Sequence, residues 1–106
     1  MVVMNLCPHD VTLYYADGET VTFPASGFVA RCSTSTETVG EVNGIPVIRT
    51  KMRSVDGLPA PADGLCYIVS FAVAEKVPER EDVFYPARSV RNDAGMIIGC
   101  KALGHV

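Results

Sequence analysis

Two dipeptides, Asp17-Gly18 and Asn43-Gly44, each stand between runs of β-branched and aromatic residues. They constrain the fold more than any other feature of this chain. A type I′ turn needs positive φ at both central positions, and Asn, Asp and Gly adopt it at little cost. Val11 to Ala16 leads into the first dipeptide and Glu19 to Pro24 leads out. Thr38 to Val42 and Ile45 to Met52 flank the second. Both segments therefore read as β-hairpins. Pro46 has no N–H to give a ladder, which puts the outgoing strand of the second hairpin at a sheet edge.

The rest of the punctuation is of the same kind. Ser26-Gly27 breaks the chain before a strand over Phe28 to Ser33. Residues 53 to 64 hold two prolines and two glycines and form one long irregular loop. Leu65 to Val69 is continuously apolar, the pattern of a central strand buried on both faces. Ser70 is placed to cap a short helix over Phe71 to Val77, rich in good helix formers and stopped by Pro78. Val83 to Arg88 is a further strand, Asn92 to Gly95 a third turn, and Met96 to Leu103 a closing strand. The expectation is a mainly β (α+β) fold: a small barrel or sandwich of about eight strands with one short helix, in a single domain over residues 1–106.

A chain of 106 residues with 48% apolar side chains has more hydrophobic material than so small a core encloses. The surplus implies an exposed apolar patch, and such patches mark interfaces. A homo-oligomer is expected. The net charge is −3 and no Lys/Arg run exists, so the electrostatic footprint of a duplex nucleic-acid binder is absent. The start, Met1 to His9, lacks the basic and apolar regions of a signal peptide, and no apolar run is long enough to span a bilayer. A cytoplasmic protein without a membrane partner is expected. Cys7, Cys32, Cys66 and Cys100 form no Cys-x-x-Cys pair, which argues against a zinc knuckle. In a reducing compartment they are expected as free thiols, with Cys66 and Cys100 acting as small buried hydrophobes.

Catalytic signatures are missing. The two histidines, His9 and His105, lie far apart with no Cys or Glu at ligand spacing, so no metal site or cofactor is expected. A nucleophile would have to be Ser70 or Cys7 paired with His9 and a carboxylate such as Asp10 or Asp82. Gly-x-Ser-x-Gly, Gly-x-Gly-x-x-Gly and the P-loop are all absent. The arginines carry more promise, because guanidinium matches phosphate bidentately. Arg31, Arg80, Arg88 and Arg91 fall at strand ends and loops, and Arg88 to Asn92 brings two guanidiniums, a hydroxyl and an amide together. Backbone N–H groups of the Asn92–Gly95 turn are further anion donors. Tyr85 offers a ring on which a base can stack, and His9 sits in a loop between strands. The candidate ligand-binding set is Arg91, Arg88, Arg80, Arg31, Asn92, His9 and Tyr85.

The opening Asn5-Leu6-Cys7-Pro8-His9-Asp10-Val11 has an Asn-Leu-x-Pro-His start. Tyr67-Ile68-Val69-Ser70, Pro78-x-Arg80-x-Asp82, Val90-Arg91-Asn92 and Ile97-Ile98-Gly99-Cys100 follow. Together they resemble small accessory proteins of phages, prophages and bacterial genomes. The resemblance implies a compact protein that counters host defence from the host cytoplasm. Three readings follow from it. The first is a non-catalytic sponge for a nucleotide immune signal, such as a cyclic nucleotide or an ADP-ribose derivative. The second is a protein-binding inhibitor of a host effector such as a CRISPR nuclease. The third is an enzyme that degrades the signal.

Overall fold

The computed structural model describes residues 1–106. Eight strands and one short helix follow one another: β1 (Val2–Asn5), β2 (Val11–Tyr14), β3 (Thr20–Phe23), β4 (Arg31–Val42), β5 (Ile45–Asp56), β6 (Leu65–Ile68), α1 (Phe71–Ala74), β7 (Val83–Arg91) and β8 (Ile97–Gly104). Six strands form one sheet in the order β1-β6-β7-β8-β2-β3, and β4 and β5 form a separate two-stranded ribbon. The six-stranded sheet curls until its two edges meet. Asn5 at the end of β1 donates its side-chain amide to the Phe23 carbonyl of β3 at 2.8 Å, and the Ser26 N–H donates to the Asn5 carbonyl at 3.2 Å. The result is a nearly closed barrel, the expected mainly β class.

β6 is an interior strand with a neighbour on each side, as its apolar run implies. It pairs in parallel with β1 on one side and with β7 on the other. Successive strand residues point to opposite faces, so Tyr67 packs with Leu6, Val69, Val73 and Val83, while Ile68 packs with Cys7, Val11 and Cys100. Ser70 accepts the Val73 N–H and caps α1, whose Val73 and Ala74 are buried. The helix is shorter than the sequence implies. Lys76 and Val77 donate to Val73 and Ala74 in tight turns, because the residue before Pro78 is steered away from the helical region.

Both hairpins form, by different turns. Asn43 (φ 50°) and Gly44 (φ 79°) are both left-handed, which gives the expected type I′ turn between the paired residues Val42 and Ile45. At the other hairpin only Gly18 has positive φ. Its N–H donates to Tyr15 and the Tyr15 N–H donates to Glu19, a three-residue loop ending in a bulge at the glycine. Asp17 instead turns its carboxylate onto the Glu19 N–H at 2.9 Å.

The sequence divides what the structure joins between residues 28 and 42. Phe28 to Ala30 lie outside any strand, the Ala30 N–H being taken by the Leu6 carbonyl. Arg31 then begins a single twelve-residue strand through the Ser-Thr run to Val42. β5 matches it and extends to Asp56, into the segment read as irregular. Pro46 does lie on an edge strand, since β5 pairs with β4 alone. β1, a four-residue strand, carries too short a pattern to be read from sequence.

Candidate functional site

A groove of about 330 Å³ opens between the start of β2 and the β7–β8 pair, lined by His9, Asp10, Thr12, Ser89, Ile97 and Ile98 among others. Its volume falls at the low end for small-molecule sites. The parallel β2–β8 pairing at Leu13 and Cys100 brings these segments together although they lie far apart in the chain. Gly99 permits that approach: a Cβ there would stand 2.5 Å from the Tyr14 ring and 2.6 Å from the Thr12 carbonyl oxygen.

The polar groups of the groove are ordered from beneath. The His9 Nδ1–H donates to the Asp10 carbonyl at 2.9 Å. The Asp10 carboxylate accepts the Ala25 N–H at 2.9 Å. Thr12 bonds Thr22 across the β2–β3 pair at 2.9 Å. The Ser89 hydroxyl makes no protein hydrogen bond.

Beside Ser89 stands the main-chain irregularity of the region. Arg88, in the middle of β7, has φ 55°, and Asn43 is the one other non-glycine residue with positive φ. Asn43 is a turn residue suited to that region. A long side chain held there within a strand is strained. Arg88 is exposed and has no ion pair or hydrogen bond. The register on either side, Ala87 with Ala102 and Ser89 with Cys100, sets it opposite Lys101, a second free cation. From Val83 to Gly104 the chain carries Arg88, Arg91 and Lys101 against Asp93 alone. The remainder of the molecule therefore holds all of the net negative charge.

The sequence candidates are not gathered in one place. His9 lines the groove and Arg88 adjoins Ser89 within it. Arg91 and Asn92 belong to the β7–β8 turn and build it. The Arg91 Nη1 donates to the Gly95 carbonyl at 2.6 Å, and the Asn92 Oδ1 accepts the N–H groups of Ala94 and Met96 at 3.0 and 3.1 Å. Those backbone donors, with the Gly95 N–H on the Asn92 carbonyl, are thus occupied within the turn. Arg80 is gripped by Asp82 through two bonds of 2.8 and 2.9 Å and donates to the Pro59 carbonyl at 2.9 Å. This pairing holds the Asp82 carboxyl below its ordinary value and raises the Arg80 guanidinium. Arg31 lines a second groove of about 270 Å³, mostly apolar, at the base of the β4–β5 ribbon. Tyr85 lies edge-on to Phe71, its ring centroid 4.9 Å away, and flat over Gly104.

The nucleophile readings find no pairing. Ser70 accepts from Val73 as a helix cap, and the Cys7 thiol leans on the Ile68 carbonyl at 3.9 Å; neither bonds His9. Burial pushes the Cys7, Cys66 and Cys100 thiols up, away from the thiolate a nucleophile needs. No three His, Cys, Asp or Glu side chains cluster as metal ligands. No helix is long and apolar enough to cross a membrane. What sequence reading missed in the groove is Thr12, Ile97 and Ile98, which carry no signal until β8 is laid beside β2. Comparison with protein-family models, with curated proteins and with solved structures finds no match to this chain.

Proposed function

We propose that this protein is a non-catalytic binder that sequesters a small phosphorylated ligand of the nucleotide class, in keeping with the anti-defence role its motifs suggest. The observation that carries the reading is Arg88: an exposed, unpaired residue held at φ 55° in a strand, one position before Ser89, which lines the groove. Backbone strain of this kind costs about 1–3 kcal/mol and is characteristic of ligand clamps. Arg88, Arg91 and Lys101 make the β7–β8 pair a cationic stretch in an acidic protein, and a local cluster sets the field over a nearby groove. Ser89, His9 and the Ile97–Ile98 wall line the groove that the ligand would enter, and Arg88 and Lys101, on the strands beside it, would supply the cationic field for its phosphate.

Calorimetry with a panel of cyclic nucleotides and ADP-ribose derivatives tests this. Binding should weaken about ten- to a hundredfold in Arg88→Ala, the loss of a charged hydrogen bond worth roughly 1.5–3 kcal/mol. Arg88→Gly should lose the same affinity while gaining about 1 kcal/mol of stability from the relieved backbone. Mass spectrometry of material released by heating the purified protein discriminates the classes. Intact nucleotide supports sequestration, an altered product means an enzyme, and no ligand with no calorimetric heat means a protein partner.

A further inference from the structure

The β4–β5 ribbon is an arm. Its strands are twelve residues each, yet only its base, Cys32 and Val55, packs against the core. Beyond Ser35 every residue of β4 is exposed, and so is β5 from Ile45 to Ser54. The molecule is 57 Å long with a radius of gyration of 17.1 Å, against about 13 Å for a compact domain of this length. A two-stranded ribbon is marginal by itself in water. The tip of the arm, farthest from the core, therefore opens locally at low free-energy cost.

At that tip stand Asn43 and Gly44. Both are exposed and both are left-handed, with φ of 50° and 79°. The Gly44 N–H makes no protein hydrogen bond, and neither does the Asn43 side chain. A Cβ on Gly44 would have no neighbour within 4 Å. Of all residues that can follow an asparagine, glycine least hinders attack of its own nitrogen on the asparagine side chain, because it has no Cβ and a free backbone. The other two asparagines are guarded. Asn5 is 2% exposed, its amide makes three hydrogen bonds, and the Leu6 N–H beside it donates to the Ile68 carbonyl at 2.8 Å. Asn92 holds its Oδ1 on the N–H groups of Ala94 and Met96, and its neighbour Asp93 carries a charged side chain.

We propose that Asn43 is a site of spontaneous deamidation through a cyclic imide, and that among the asparagines of the folded chain this chemistry is confined to the arm tip. When the tip opens, the Gly44 amide nitrogen gives its proton to hydroxide and attacks the Asn43 Cγ. The new C–N bond closes a five-membered succinimide, and the side-chain nitrogen leaves with a proton as ammonia. Water then adds to one of the two ring carbonyls. Breaking the bond from the Gly44 nitrogen to Cγ leaves aspartate in a normal backbone. Breaking its bond to the main-chain carbonyl carbon leaves isoaspartate, with the chain running through Cγ. The net change is amide plus water to carboxylate plus ammonium, with nothing oxidised or reduced. Asp17-Gly18, Asp56-Gly57 and Asp63-Gly64 reach the same ring far more slowly at neutral pH, because a carboxylate is a poor electrophile, and they reopen without change of mass. At the arm tip isoaspartate puts one extra backbone methylene into a two-residue turn. The length of that turn sets the pairing of Val42 with Ile45 and Glu41 with Pro46. The modification stands independently of the groove and its ligand.

Ageing the full chain in mildly alkaline buffer at body temperature tests it, followed by intact-mass analysis and peptide mapping. The chain should gain one dalton over days and release an equal amount of ammonia. The peptide spanning Asn43 should appear in two new forms, with isoaspartate the more abundant. Asn5 and Asn92 should convert at least about tenfold more slowly, since local opening reaches only the tip. Asn43→Gly keeps a residue suited to the left-handed position and should abolish the early mass gain. Hydrogen exchange in the arm should quicken in the separated isoaspartyl form and stay near the unaged rate in the aspartyl form. An Asn43 intact after weeks, an Asn92 that converts as fast, a mass gain that persists in Asn43→Gly, or an isoaspartyl form with unchanged exchange overturns the proposal.

Discussion

The side-chain amide of Asn5 donates to the Phe23 carbonyl at 2.8 Å and so ties the first strand of the sheet order to the last. Asn5 is only 2% exposed, and its three bonds use the whole amide: the second donor goes to the His9 carbonyl and Oδ1 accepts the Cys7 N–H. Asn5→Ala leaves two carbonyls and an N–H without partners and should cost about 2–4 kcal/mol. Asn5→Asp keeps the acceptor, loses both donors and buries a charge, so it should be no better. Urea unfolding midpoints measure both. A loss under about 0.5 kcal/mol, the lower limit for a single hydrogen bond, would mean that the barrel closes without this residue.

Acid should release the clasp between Arg80 and Asp82, whose side chains are 16% and 19% exposed. Arg80 holds the Asp82 carboxyl below its ordinary 3.8, so the unfolded chain takes up this proton more readily than the folded one. The stabilisation is complete above the unfolded value and is lost as pH falls through the lower folded value. It should amount to about 1–2 kcal/mol. Asp82→Asn should be destabilised at neutral pH and should lose this part of the acid dependence. Stability curves for the two proteins that run parallel between pH 5 and pH 2 would count against the assignment.

Thiol chemistry should separate Cys32 from the others. None of the four cysteines is disulfide-bonded, and Cys7, Cys66 and Cys100 are buried with raised thiol values. Alkylation of the native protein near neutral pH should modify Cys32 first, and four adducts should appear only in denaturant, as intact-mass analysis will show. The linkage has the opposite sign to that of Asp82. The buried thiols stabilise fully below the ordinary value of 9.0, and that contribution falls as alkaline pH ionises the unfolded chain.

Gly104 pairs with Tyr85 across the β7–β8 ladder, and a Cβ on it would stand 2.3 Å from the ring. Gly104→Ala should therefore cost about 1–3 kcal/mol through overpacking. Tyr85→Ala removes the obstacle together with the ring's contact to Phe71. In the double variant the two losses should fall short of their sum by at least about 0.5 kcal/mol. Strict additivity would show that the ring moves aside freely.

What was legible in the sequence is what local chemistry decides. Asn43-Gly44 can hold two successive left-handed residues, so its turn type is written in the dipeptide; Asp17 has its own carboxylate to bond with and settles for another loop. Ser70 ahead of Phe71 caps its helix as side-chain geometry requires, and the apolar Leu65 to Val69 run is buried from Cys66 on, between two neighbouring strands. Long-range pairing left weaker marks. Between Ser33 and Thr38 the sequence marks no strand, yet small hydroxyl side chains suit an exposed ribbon, and pairing with β5 makes one strand of Arg31 to Val42. Asn5 looks like any loop asparagine until Phe23 is brought to it. Arg80 promised a free cation, and Asp82, two residues on, occupies it. Arg88 is marked by backbone geometry that no residue type announces.

Parallel pairing sets an order of events for the chain. β1 runs alongside β6 and β2 alongside β8, so Val2 finds Leu65 and Leu13 finds Cys100 only after most of the polypeptide lies between them. During synthesis Leu6 must wait for β6, α1 and β7, and Cys7 and Val11 remain partly uncovered until Cys100 of the last strand emerges. The β4–β5 hairpin, closed by its two-residue turn, makes only local contacts, and such hairpins form in about microseconds. Barrel closure draws on contacts of high sequence separation and belongs to a far slower regime. A nascent chain of this protein therefore displays its arm well before it owns a core.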